Sequence, residues 1–108
     1  MQQLTTNELK EKINNGENFV LDLYATWCGP CKIMLFNLDK LEEHLSKESE
    51  NTPKYGIYKF DIDSDREFIM SEMGIRSVPT IKIFKEGKEV FSKAGVIPTL
   101  EVLNLLQN

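Results

Sequence analysis

Two cysteines, Cys28 and Cys31, are the only ones in the chain, and they flank Gly29-Pro30 directly after its single tryptophan, in the stretch WCGPCK (Trp27–Lys32). Such a pair can be a structural clip, half of a metal site or a reactive dithiol. The preceding run FVLDLYA (Phe19–Ala25) reads as a strand, and a helical pattern follows, so Cys28 falls where a helix begins. Unpaired backbone N–H groups and the helix dipole favour negative charge there, which lowers a thiol's pKa. The thiolate is the species that attacks a disulfide. Cys31 lies about one turn further on, within reach of Cys28. Pro30 suits an early helical position, where a missing N–H costs nothing. A clip is the weaker reading, because a bridge closing so small a loop constrains the unfolded chain little.

Metal chemistry fits the residues poorly. A closed zinc site needs about four protein ligands, and beyond the cysteines the chain offers His44 as its one histidine. On a continuous helix that residue lies roughly 20 Å from Cys31. A c-type haem site requires histidine after the second cysteine, where Lys32 stands. Asp61, Asp63, Asp65 and Glu72 match the ligand spacing of an EF-hand calcium loop, but Arg66 occupies the position that needs glycine. A strand end followed by an acidic helix start explains the same residues.

These candidates need elements to hold them. Thr5 and Glu8 form a capping-box pattern that opens a helix ending near Asn15-Gly16. The near-continuous apolar run from Phe19 suits a central strand covered on both faces. Asp22 is its lone charge, and its neighbours predict burial. From Cys31 to about Lys47, Met34, Leu38, Leu41 and Leu45 mark one helix face. The polar stretch SKESENTP reads as a loop, YGIYKFDI as a second strand, and Ser64 with Glu67 as the start of a helix that Gly74 ends. TIKIF and KEVF flank Glu86-Gly87 as a hairpin, and a last helix from about Pro98 carries Leu100, Leu103 and Leu106. Strands alternating with helices, then a hairpin and a helix, predict an α/β sandwich around a mixed sheet.

The 108 residues suit one domain, and a net charge of −4 with a pI near 5.0 offers no footprint for nucleic acid or an anionic membrane. MQQLTTNELK lacks a basic-then-apolar leader, and no apolar run approaches bilayer length, so a cytoplasmic setting with reduced thiols is expected.

Together the segments LDLYATWCGPCK, YKFDID, GIRSVPTIKIFKEGK and KAG resemble the thioredoxin family across essentially the whole chain. The resemblance implies a single thioredoxin domain over residues 1–108, folded as a three-layer α/β/α sandwich with a central mixed sheet. It implies a protein-disulfide reductase, likewise cytoplasmic and monomeric, with no bound cofactor, recycled by a thioredoxin reductase that uses NADPH. Cys28 matches the attacking thiol and Cys31 the resolving one. Asp22 matches a buried carboxylate that exchanges the Cys31 proton, and Lys59 the lysine paired with it, although a snorkelling lysine fits that strand as well. Pro79 matches a cis-proline facing the cysteines. Trp27, Gly29, Pro30, Val78, Gly95 and Val96 match, with Pro79, the apolar rim that receives substrate. Three features depart from the family pattern: Tyr24 in place of tryptophan, Phe36 in place of a kinking proline, and a longer SKESENTP loop. An oxidase or isomerase of the same fold is one alternative, though Gly-Pro between the cysteines resembles reducing members. The other is a non-catalytic subunit that uses the rim to bind a larger complex.

Overall fold

Six consecutive buried residues make β2 (Phe19–Tyr24) the middle of the sheet in a computed structural model that describes residues 1–47 and 54–107. The sheet has five strands in the order β1-β3-β2-β4-β5, with β1 Gln2–Gln3, β3 Gly56–Asp61, β4 Thr80–Lys85 and β5 Lys88–Ala94. β3 runs parallel to β2, whereas β4 and β5 form the antiparallel hairpin side, so the sheet is mixed as expected. Among the described residues four α-helices complete the fold: α1 Thr6–Asn14, α2 Gly29–Ser46, α3 Arg66–Ser71 and α4 Thr99–Gln107.

Strand alternation sorts β2 between two cores. Val20 joins Ile57, Ile81 and Ile83 beneath α2 and α4, through Met34, Leu38, Leu41, Val102 and Leu106. Phe19, Leu21 and Leu23 point the other way, to Leu9 of α1 and Phe68 and Ile69 of α3. Phe19 stacks on Phe84 with ring centroids 4.6 Å apart. Both faces of the strand are therefore covered, which is why its sequence is apolar apart from Asp22 and the Tyr24 hydroxyl.

Local signals set most boundaries. The capping box of α1 forms, with Glu8 N donating to Thr5 Oγ1 and Thr5 N to Glu8 Oε1. At the β4–β5 turn Glu86 and Gly87 both have positive φ, 53° and 77°, as a tight two-residue hairpin requires. A Cβ on Gly87 would also collide with the carbonyl oxygen of Ile13.

Other expectations are corrected. α3 is capped by Asp65, not Ser64, whose hydroxyl instead donates to Asp61 O in a 3-10 turn. The cap of α3 at its other end is Glu72, and Gly74 (φ 66°) lies two residues beyond it. α2, by contrast, starts where the cysteine pair predicts, at Gly29 directly after Cys28, and is continuous past Phe36. Leu100 is exposed, and Val102 takes its place in the core with Leu103 and Leu106. β1 has no apolar alternation to announce it, yet it pairs parallel with β3 at Tyr58 and Lys59. Most of the SKESENTP loop, residues 48–53, lies outside the described residues.

Candidate active site

Cys28 is the N-cap of α2, and its sulfur accepts a hydrogen bond from Cys31 N at 3.2 Å. The two sulfurs are joined in a disulfide, with Cα atoms 5.3 Å apart. An 18-residue helix thus points its N-terminus at Cys28, and in the reduced protein its N–H groups and dipole stabilise a thiolate there. Burial separates the partners slightly: Cys31 is 1% exposed and Cys28 6%. Cys28 packs with Tyr24, Ala25 and Cys31, and its sulfur stands 3.7 Å from the carbonyl oxygen of Val78.

The Val78–Pro79 peptide is cis. Pro79 O accepts from Gly95 N at 2.8 Å, which fixes the end of β5 beside this segment. Gly29, Pro30 and Val96 are exposed, and Trp27 is 65% exposed. The indole is nonetheless tethered: Nε1 donates to Asp63 Oδ2 at 2.9 Å. Arg66 and Trp27 together, chiefly through the Arg66 hydrogen bond, hold the Asp63 carboxyl below its ordinary range.

Asp22 lies opposite Lys59 on β3 and Ile81 on β4. It is 0% exposed, and neither carboxylate oxygen has a hydrogen-bond partner among the described residues. Burial pushes its pKa up to about 7, and the positive charge of Lys59 works against that rise. The expected pairing of these residues takes this through-space form, without a direct contact. The Lys59 ammonium sits 5.7 Å over the Tyr24 ring, whose hydroxyl donates to Gln3 Oε1 at 2.6 Å. β1, unforeseen in the sequence, is therefore tied to the Tyr24 side of the site.

The Trp27–Asp63–Arg66 link also escaped the sequence reading. In the sequence Asp63 stands out only as one of four acids in a calcium-like spacing, whereas the three aspartates of that run serve hydrogen bonds within the protein. Asp61 accepts from Asp63 N, Asp65 caps α3, and Asp63 holds Trp27 and Arg66. No group of three His, Cys, Asp or Glu side chains among the described residues could hold a metal ion. No helix among them is long and apolar enough to cross a membrane.

A family model described as thioredoxin matches residues 1–108. A thioredoxin of Griffithsia pacifica is 36% identical over 106 residues, covering 98% of this chain and 91% of that protein. Thioredoxin-1 of Saccharomyces cerevisiae is 34% identical over 94 residues, covering 87% of this chain and 84% of that one. Among solved structures, mitochondrial thioredoxin 3 from Saccharomyces cerevisiae in its oxidized form superposes with a TM-score of 0.79 at 30% identity, covering 98% and 95% of the two chains. With a bonded Cys28–Cys31 pair at the start of a helix, the chain belongs to the thioredoxin family and is a protein dithiol–disulfide oxidoreductase.

Proposed function

We propose that this protein reduces the disulfides of other proteins with a fixed division of labour between its cysteines, and that a thioredoxin reductase recycles it with electrons from NADPH. The Cys28 thiolate attacks one sulfur of the substrate disulfide. That bond breaks, the second substrate sulfur leaves as a thiolate, and a mixed disulfide to Cys28 forms. Cys31 gives its proton to Asp22 and attacks the Cys28 sulfur. The Cys28–Cys31 bond closes, and the first substrate sulfur departs as a thiol after taking up a proton. Two electrons have passed to the substrate, and NADPH returns two through the reductase. Lys59 tunes the proton affinity of Asp22.

The observation that carries this reading is the position of Cys28 as the N-cap of α2, with Cys31 buried one turn further on. An acid with a pKa near neutrality supports Asp22 as an acceptor that can take a proton and return it. We assign Trp27, Gly29, Pro30, Val78, Pro79, Gly95 and Val96 to the surface that receives an extended substrate segment, a reading supported by Val78 O standing 3.7 Å from Cys28 Sγ. We assign the protein to the cytoplasm, because reduced thiols are maintained there.

Turnover with a thioredoxin reductase, NADPH and a protein disulfide tests the scheme. NADPH consumption that requires both this chain and the disulfide substrate is expected. Substrate binding without any NADPH consumption would instead favour a non-catalytic binding subunit.

A further inference from the structure

The chain has only two arginines, Arg66 and Arg76, and both line one groove beside the disulfide, in a protein whose net charge is −4. The groove has a volume of about 510 Å³ and lies between Trp27, α3 and the segment that ends at Val78. Ile69, Ile75 and Val78 give it an apolar lining, and Met70, 71% exposed, stands on its α3 wall. The arginines are not equivalent. Arg66 Nε and Nη2 both reach Asp63 Oδ1, at 2.8 and 2.6 Å, so its charge is matched by a carboxylate that also ties down the indole. Arg76 is exposed and has no ion pair or hydrogen bond among the described residues.

The groove is continuous with the reacting centre, because Trp27 and Val78 belong to both and Cys28 Sγ is 3.7 Å from Val78 O. A substrate segment that lies over the disulfide and crosses Val78 on the Trp27 side runs on into it. We propose that this groove makes the protein selective for disulfides flanked by an apolar side chain and a nearby Asp or Glu, the carboxylate pairing with Arg76. The apolar residue fills the space against Ile69, Met70 and Ile75. The guanidinium presents a fork of donors that fits a carboxylate with two parallel bonds. Lys32, Lys40, Lys85 and Lys93 are exposed cations elsewhere on the chain, so the selectivity comes from the place of Arg76 on the groove wall beside the disulfide and from its forked guanidinium. The inference rests on Cys28 being the attacking thiol, which fixes where the segment must enter.

Disulfide-linked peptides that differ only by Glu, Gln or Lys at one flanking position, moved in turn along the segment, provide the test. With the intact protein, kcat/KM should favour the best Glu peptide over its Gln counterpart by about three- to tenfold, the range of a half-exposed charge-assisted pair, and disfavour the Lys peptide. Arg76→Gln should bring the Glu-to-Gln ratio close to one, and Arg76→Glu should make the Lys peptide the preferred one. Lys88→Gln, which removes an exposed cation at the hairpin, should leave the ratio unchanged. A protein indifferent to the flanking charge, or a ratio that survives Arg76→Gln, overturns the proposal. So does sedimentation showing self-association that Arg76→Glu abolishes, since a second copy would then occupy the groove. Neutral hydroxyethyl disulfide separates the two levels: its reduction by a protein that shows no charge preference among the peptides sinks this inference alone, and failure to reduce either it or any of the peptides sinks the assignment of Cys28 as well.

Discussion

Cys28 and Cys31 differ by a helical turn, and in the proposed scheme that turn divides their work. Cys28 caps α2, where the helix end can stabilise its thiolate, while Cys31 is inside the first turn beneath it. Cys28→Ser should therefore abolish disulfide reduction and form no covalent adduct. Cys31→Ser leaves the attack intact and removes the resolving thiol, so mixed disulfides with substrates should accumulate. Mass spectrometry of the two variants after incubation with a protein disulfide reads this directly. Adducts on Cys28→Ser, with none on Cys31→Ser, would reverse the order of attack. At this scale the sequence was most legible, because Cys-Gly-Pro-Cys and a lone acid in an apolar strand are chemical statements in themselves. Trp27, Asp63 and Arg66 were not legible as a unit. Their bond spans 36 residues between Trp27 and Asp63, and spacing in the chain says nothing about that distance.

Elements were legible where a cap or a period marks them, and less so where two candidates compete. The capping box of α1 and the core face of α2 follow from residue types at fixed offsets. For α3, Ser64 and Asp65 both suit a cap, and the preceding 3-10 turn decides between them by taking Ser64. Asp65 does two jobs: Oδ1 accepts from Phe68 N at 3.2 Å, and Oδ2 accepts from Thr6 Oγ1 at 2.6 Å, so it fastens α3 to the first turn of α1. Those hydrogen bonds, the one from Thr6 foremost, hold its carboxyl below the ordinary range. Asp65→Ala should lower the thermal midpoint by about 4–8 °C, the effect of losing one good cap in a domain this size. Ser64→Ala should cost less than half of that. Equal losses would return the cap to Ser64. The groove between α3 and Val78 was invisible for a related reason. Periodicity says which face of a helix is buried, but not which segment stands opposite its exposed edge.

The whole molecule feels the site through Asp22, whose burial is set by the two-sided packing of the sheet. Its pKa rises from 3.8 to about 7, first because burial disfavours the charged form, with the Lys59 cation moderating the rise. In the unfolded chain the group reverts to an ordinary carboxyl. Between those two values the folded state holds the extra proton, so stability falls as pH climbs through the window and levels off above it. At about 1.4 kcal/mol per pKa unit, the full loss is about 4 kcal/mol, a sizeable part of what a small domain has. Asp22→Asn removes the titration, so the variant should be the more stable protein near pH 8 and close to wild type near pH 3. Lys59→Gln should act in the opposite direction, raising the Asp22 pKa further and carrying the decline in stability above pH 7. Denaturant midpoints from pH 3 to 9 should be taken on the disulfide form, in which neither cysteine titrates and the two groups cannot be confused. The reduced form then supplies the chemical half of the test, since Asp22→Asn should resolve mixed disulfides more slowly for want of a proton acceptor. A stability gap between Asp22→Asn and wild type that stays flat across the range would remove the buried acid from the account. A gap that opens between pH 4 and 7 while resolution slows would tie the two together: the same unpaired carboxylate that lowers the stability of the fold at neutral pH is the one that accepts the Cys31 proton.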